Sequence, residues 1–265
     1  MTNRDKKDSI RGRMADAGEP FNVARRKVEA AAASPLSEAE FQEIKRTGRC
    51  DLSNRELTAL PPEIIQLANL WELRLDGNQL TVLPGEIGQL ANLGTLALDG
   101  NQLTALPPEI GRLASLRRLG LDHNQLTALP AEIGRLTSLR RLGLGGNQLT
   151  ALPPEIGQLA SLEGLTLGGN QLTALPAEIA QLTDLKGLTL DHSQLAALPP
   201  EIGQLTNLEG LRLDGNQLTA LPRELADLLS GGLELGLAGN PLPGPVFELY
   251  GRGPQALAAY LRSLE

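Results

Sequence analysis

"LRRLGLDHNQLTALPAEIGRLTS", residues 116–138, reads at first as a chemical site. Arg117 and Arg118 stand side by side, and Asp122 precedes His123 and Asn124. Asp-His pairs occur in catalytic relays and metal shells, and arginine pairs grip phosphates or carboxylates. The stretch does not stand alone, however. Its central string, "NQLTALP", begins at Asn101, Asn124, Asn147, Asn170 and Asn216, and the near-copy "NQLTVLP" begins at Asn78. The spacing is 23 residues, or twice that. A sustained period of this size marks a stack of repeated units, and it must be settled before any residue is given a chemical role.

Numbered from the first leucine of the quoted stretch, the units start at Leu70, Leu93, Leu116, Leu139, Leu162, Leu185 and Leu208. A degenerate unit begins at Thr47, and a truncated one begins 24 residues after Leu208, at Gly232. The additional residue falls within "LADLLSGG". Nine units therefore run from residue 47 to about residue 245. Within each, leucines at positions 4 and 6 alternate with polar or tiny residues at 3, 5 and 7, the pattern of a short strand with one buried face. Apolar residues at 11, 14, 18 and 21 suit a helical or 3₁₀ back wall. The proline at 15 can start such a turn, since its missing N–H would lack a partner there anyway. One unit cannot bury its own leucines, but a stack can.

The unit, LxxLxLxxNxLTxLPxEIxxLxx, resembles the leucine-rich repeat, and the resemblance covers about three quarters of the chain. The string "LPxEIGxL" is similar to the Ras-group class of that family, and the tail "GNPLPGPVFELYGRGPQALAAYLRSLE" resembles the end of the repeat segment in Roco proteins. The resemblance implies a right-handed α/β solenoid. A parallel sheet would line its concave face, short helical or 3₁₀ turns its convex face, and helical caps both ends. It also implies that the Asn at position 9 turns inward and ties successive loops together. Arg55 and Ser193 depart from that Asn, and the second would leave a weaker seam inside the array. No GxxxxGK[ST] phosphate loop occurs, so the GTPase activity of Roco proteins does not carry over.

The ends read differently. Residues 1–20 are charged and poor in apolar side chains, the composition of a disordered tail. Residues 21–46 read as a helical cap, with Ser37 and Glu40 forming a capping box and Gly48 placed to end the helix. Cys50 takes a leucine slot as a small apolar residue. Residues 246–265 read as a C-terminal cap, with a helix opening at Pro254 and carrying Leu257, Tyr260 and Leu261 on one side.

The composition narrows the function. Only 2% of residues are aromatic against 41% apolar, so the core is aliphatic. The net charge of −7 argues against nucleic acid as a partner, because duplex binders carry a clustered basic excess. A single cysteine precludes an intrachain disulfide framework and fits a reducing, cytoplasmic setting. The N-terminus lacks the apolar core of a secretory signal, and no run is long enough to span a membrane.

Positions 3, 5 and 7 should point off the sheet, opposite the leucines. Arg117, Arg118, Arg140 and Arg141 then form a block across two units, beside an acidic column of Asp76, Asp99 and Asp122. Beyond it lies a floor of Gly143, Gly145, Gly164, Gly168 and Gly187. Trp71, Arg74 and Arg212 complete the candidate contact residues with Arg117, Arg118, Arg140, Arg141, Asp99 and Asp122. Such a face could dock an acidic segment of a protein partner. Alternatively, its arginines and aspartates neutralise each other in solvent, at about 0–1 kcal/mol per exposed pair. His123 and His192 are three units apart, roughly 14 Å at 4.8 Å per strand, too far to share a metal ion. No catalytic constellation and no cofactor site is readable. The expectation is a non-enzymatic, monomeric interaction scaffold. A regulatory subunit acting in trans on a GTPase or kinase, or a bacterial effector delivered to a host cell, is the alternative.

Overall fold

The computed structural model describes residues 36–264. The expected N-terminal tail and the first part of the N-terminal cap lie outside the described residues. Each unit contributes a strand of three residues: β1 (Arg49–Asp51), β2 (Glu72–Arg74), β3 (Thr95–Ala97), β4 (Arg118–Gly120), β5 (Arg141–Gly143), β6 (Gly164–Thr166), β7 (Gly187–Thr189), β8 (Gly210–Arg212) and β9 (Glu234–Gly236). They form one parallel nine-stranded sheet in chain order. The register follows the period, so Arg118 faces Arg141 and Arg141 faces Gly164. At the last pair Gly210 faces Glu234, which absorbs the 24-residue step. The additional residue is taken up where the α-helix Leu225–Ser230 replaces the 3₁₀ turn of the other units.

The back wall follows from the proline. In the fourth unit Pro130 precedes the 3₁₀ turn Ala131–Arg135, and its carbonyl accepts the N–H of Ile133 at 3.0 Å. The carbonyl is used and the absent N–H is not missed. Ile133, Leu136, Leu139, Leu142 and Leu144 are almost wholly buried, and their counterparts in neighbouring units join them in one continuous core. The sheet lines the concave face, and the 3₁₀ turns form the convex wall.

The asparagine at position 9 is buried and fully used. The Oδ1 of Asn147 accepts the N–H of Leu126 in the preceding unit at 3.0 Å. Its Nδ2 donates to the carbonyls of Leu121 in that unit, at 2.9 Å, and Leu144 in its own, at 3.0 Å. One side chain thus satisfies backbone groups of two units, which burial would otherwise make costly.

Ser193 breaks this ladder. Its hydroxyl is buried without a hydrogen-bond partner. The Leu172 N–H has no Oδ1 to meet, unlike Leu149 and Leu195, which donate to Asn170 and Asn216. The backbone answers with a long bond of its own, from Ala196 N–H to the Thr173 carbonyl at 3.4 Å. A shorter side chain has left the bond unmade but has not opened the stack.

The first cap helix, α1 (Glu38–Thr47), begins at the capping box and ends at Gly48, whose φ of 69° is the left-handed stop that glycine permits. The Ser37 hydroxyl, then its backbone N–H, then Arg55 hold the Glu40 carboxyl down at about 2. Arg55 has no earlier unit to bridge and instead pairs with Glu40 at 2.9 Å, fastening the cap to the first unit. Ile44 is buried, and Phe41 packs against the core. Cys50 is 1% exposed, and burial pushes its thiol up to about 12, so it behaves as an apolar filler.

At the far end α2 (Leu225–Ser230) belongs to the eighth unit, and two helices follow the last strand, α3 (Gly244–Gly251) and α4 (Pro254–Arg262), where the sequence predicts one. The prolines that stop strand pairing, Pro243 and Pro245, stand at the start of α3, where a missing N–H is harmless. Leu257, Ala258 and Leu261 of α4 are buried. Tyr250 donates its hydroxyl to the Leu235 carbonyl at 2.6 Å, and Arg262 pairs with Asp227 at 2.9 Å.

Replacing Ser193 with Asn should restore the rung. We expect stability to rise by about 1–3 kcal/mol in urea unfolding, with slower hydrogen exchange at the Leu172 amide. Unchanged exchange at Leu172 would show that the shorter side chain costs the seam nothing.

Candidate interaction face

The strands turn Leu119 and Leu142 inward and leave Arg118 and Arg141 exposed on the opposite side. With Asp99, Asp122, Gly164 and Gly187 they line one open depression of about 350 Å³. A second, of about 310 Å³, lies beside it and takes in Arg212, Asp214 and Glu234. The remaining candidates are elsewhere. Arg117 and Arg140 stand at position 2, on the flank, where Arg140 pairs with Glu163 at 2.8 Å. Arg74 reaches Asp76 at 3.5 Å. Trp71 serves the N-terminal end: its indole N–H donates to the Thr47 carbonyl at 3.2 Å, and the Arg49 guanidinium lies 4.7 Å over its ring. It remains 41% exposed.

The aspartates have a job that the sequence reading did not assign. Each accepts the backbone N–H at position 7 of the next unit: Asp76 from Asp99 at 3.1 Å, Asp99 from Asp122 at 2.8 Å, and Asp122 from Gly145 at 2.6 Å. Asp191 and Asp214 do the same towards Asp214 and Ala238. These carboxylates form a second ladder along the sheet. Only Asp76 among them touches an arginine, Arg74 at 3.5 Å, among the described residues. Among the described residues, Arg117, Arg118, Arg141 and Arg212 make no ion pair.

The glycines also divide. A β-carbon at Gly120 would fall 2.7 Å from the Asp99 carboxylate, and one at Gly143 would fall 2.9 Å from that of Asp122. Gly168 is crowded by the Asp191 carbonyl at 3.1 Å. At these positions the Asp ladder and the backbone come close, so an added side chain would have to displace them. Gly164, Gly187 and Gly210 differ: an added β-carbon would meet only the Arg141 stem, 3.9 Å from Gly164, and nothing within 4 Å at the other two. They are the open floor.

Asp99 carries the electrostatic cost of its ladder. Burial pushes its carboxyl up, and the charges of Asp122 and Asp76 add to this, while the Asp122 N–H and the Arg118 charge oppose it.

The histidines are turn residues. His123 and His192 have φ of 55° and 53°, at the position where other units carry Gly77, Gly100, Gly146, Gly169 and Gly215. Their rings fill the space over the next unit's glycine, Gly146 for His123 and Gly215 for His192. Among the described residues, no group of three His, Cys, Asp or Glu side chains is placed to hold a metal ion. Nor is any helix there long and apolar enough to cross a membrane.

The chain belongs to the leucine-rich repeat family: the model of the leucine-rich repeat region matches residues 52–144 and 131–230. A comparison with curated proteins finds no match. Among solved structures, a Leptospira interrogans leucine-rich repeat protein is 42% identical with a TM-score of 0.63, over 80% of this chain and 59% of that one. The ectodomain of the Arabidopsis thaliana receptor kinase GASSHO1/SCHENGEN3, in complex with CASPARIAN STRIP INTEGRITY FACTOR 2, is 36% identical with a TM-score of 0.64, over 70% of this chain and 23% of that one. The plant peptide hormone receptor RGFR1, in complex with RGF2, is 30% identical with a TM-score of 0.60, over 72% and 36%. The chain thus spans less than two thirds of the length of each.

Two substitutions test this division of labour. His123→Gly removes a left-handed side-chain penalty of about 1–2 kcal/mol and adds backbone entropy to the unfolded chain, so stability should stay level or rise slightly in urea unfolding. A marked loss would give the imidazole a role that its geometry does not show. Asp99→Asn keeps an acceptor for the Asp122 N–H and removes the desolvated charge. A raised carboxyl pKa means that the folded chain prefers the protonated form, so ionisation weakens it as pH rises through the folded value. The Asn variant should therefore match the parent below the ordinary value of 3.8 and exceed it at neutral pH. Equal stability at both pH values would contradict the assigned strain.

Proposed function

We propose that this chain is a non-enzymatic, monomeric, cytoplasmic scaffold that binds a protein partner by an acidic segment laid on its concave face. The carrying observation is the register of Arg118 and Arg141. They are direct partners on β4 and β5, exposed, and without ion pairs among the described residues. Like charges directly opposite on a sheet repel. A carboxylate placed between them relieves that repulsion and accepts charge-assisted hydrogen bonds. Gly164 and Gly187 beside them leave room for a partner's main chain. The two plant receptors, each solved with the partner named above, support the reading by showing the same fold in complexes.

A second reading has the chain regulate a GTPase or kinase in trans, in the manner its Ras-group and Roco-like features suggest. The packing of α3 and α4 onto the last unit supports it, because that tail carries the Roco resemblance.

Arg118→Glu combined with Arg141→Glu should abolish capture of the partner on immobilised protein, with far-UV circular dichroism unchanged. A partner retained equally by the double variant and the parent would place binding elsewhere.

A further inference from the structure

The third position of successive units, the first residue of each strand, reads Arg118, Arg141, Gly164, Gly187, Gly210, Glu234, each facing the next in register. Two cations stand at one end, three glycines follow, and an anion stands at the other end. The remaining outward positions of the unit that holds Gly164 carry no charge either, since they are Thr166 and Gly168. Glu234 is exposed and makes no ion pair among the described residues, although Arg212 lies one strand away in the same depression. Asp191 and Asp214 add negative charge on that side, and Lys186 and Glu209 on the flank offset each other, so around Glu234 anions outnumber cations. The arginine end has Asp99 and Asp122 beside it, each accepting a backbone N–H, while on the flank Arg140 is answered by Glu163 and Arg117 tips the balance positive.

We propose that the groove is bipolar and reads charge spacing: its occupant is an extended peptide segment with an acidic group over Arg118 and Arg141 and a basic group over Glu234. This rests on the concave-face reading and adds the partner's second charge and the distance between the two. Four strand steps separate Arg141 from Glu234, roughly 19 Å at about 4.8 Å each. An extended chain advances about 3.3 Å per residue, so acid and base stand about six residues apart in the occupant. The intervening residues lie over Gly164, Gly187 and Gly210, where an added side chain would find open space. A lone acidic segment would leave Glu234 unanswered, and a compact zwitterion cannot reach both ends.

The test uses the full chain and labelled synthetic peptides in fluorescence anisotropy at low salt. The spaced peptide is acetyl-Asp-Asp-Gly-Ser-Gly-Ser-Lys-Lys-amide. The compact control, acetyl-Asp-Asp-Lys-Lys-Gly-Ser-Gly-Ser-amide, has the same composition. The spaced peptide should bind about threefold to fivefold more tightly, the effect of the one exposed charge contact that the compact peptide gives up. Glu234→Lys should reverse the second preference, favouring a spaced peptide with aspartates at both ends. Arg118→Glu with Arg141→Glu should favour one with lysines at both ends. Equal affinity for spaced and compact peptides, including no measurable binding of either, overturns the bipolar reading. If the arginine pair governs partner capture while Glu234→Lys and spacing have no effect, the concave-face reading survives and this one fails. If neither site matters, both fall. Far-UV circular dichroism on each variant separates lost binding from lost folding.

Discussion

A buried asparagine amide that serves two units at once is the interaction on which the rest of this molecule depends. Asn147 takes an N–H and a carbonyl from the unit before and a carbonyl from its own. Without it, the chain leaving each strand would bury unpaired backbone groups as it turned towards the convex wall. With it, the turn can be dry, and the leucines on either side can close over it. The stack is cooperative for the same reason, because the rung of one unit satisfies the loop of its neighbour. Ser193 shows the consequence of loss. The sheet stays in register at β6 and β7, but a hydroxyl is orphaned and a long backbone bond takes up the slack.

The concave face inherits that regularity and then restricts it further. The aspartates at position 7 repeat the device one layer out, each holding the next unit's backbone N–H. Their carboxylates lean over the following strand and crowd Gly120 and Gly143, while Ala97 and Arg212 keep a side chain at the same position beside Asp76 and Asp191. A column that looks free to vary is largely committed to structure. What remains uncommitted is position 3, together with position 5 where no carboxylate intrudes. There the chain places Arg118 and Arg141, then open glycines, then Glu234.

Much of this was readable from residues alone, and the physical reason is the period. Leucines 23 residues apart fix strand order, parallel register and the buried face together, and the 24-residue step before Gly232 foretold the one irregular pairing. The capping box at Ser37 and the stop at Gly48 were local signals and were equally legible. The exceptions all involve contacts between units. An aspartate accepting an N–H from the next repeat has the same sequence as an aspartate in solvent. Gly164 and Gly168 look alike in the chain, yet one faces open space and the other the Asp191 carbonyl. His123 takes a left-handed backbone and lays its ring over Gly146, a contact between units that its own neighbours in the chain do not signal. The helix Gly244–Gly251 opens on Pro243 and Pro245, residues that a helix interior excludes, so the chain gives little sign of it.

A face built on such ladders differs in kind from one built on loops. Loop charges move, and a partner can draw them to itself at the expense of their entropy. The backbone positions that carry the charges at position 3 cannot shift along the sheet, because strands β4 to β9 are tied by backbone bonds, by an inner asparagine rung at every seam but the Ser193 one, and by outer aspartate rungs where Asp122, Asp191 and Asp214 stand, and only the side chains themselves can swing. Their separations come only in multiples of one strand spacing. A partner therefore has to bring its own charges at a matching distance, since little of the mismatch can be absorbed by the scaffold. Shape selectivity is slight on a floor of glycines with Trp71 off at the capped end. Discrimination on this surface thus falls chiefly to the spacing of charge, and the same rungs that make the leucine core possible set the ruler by which it is measured.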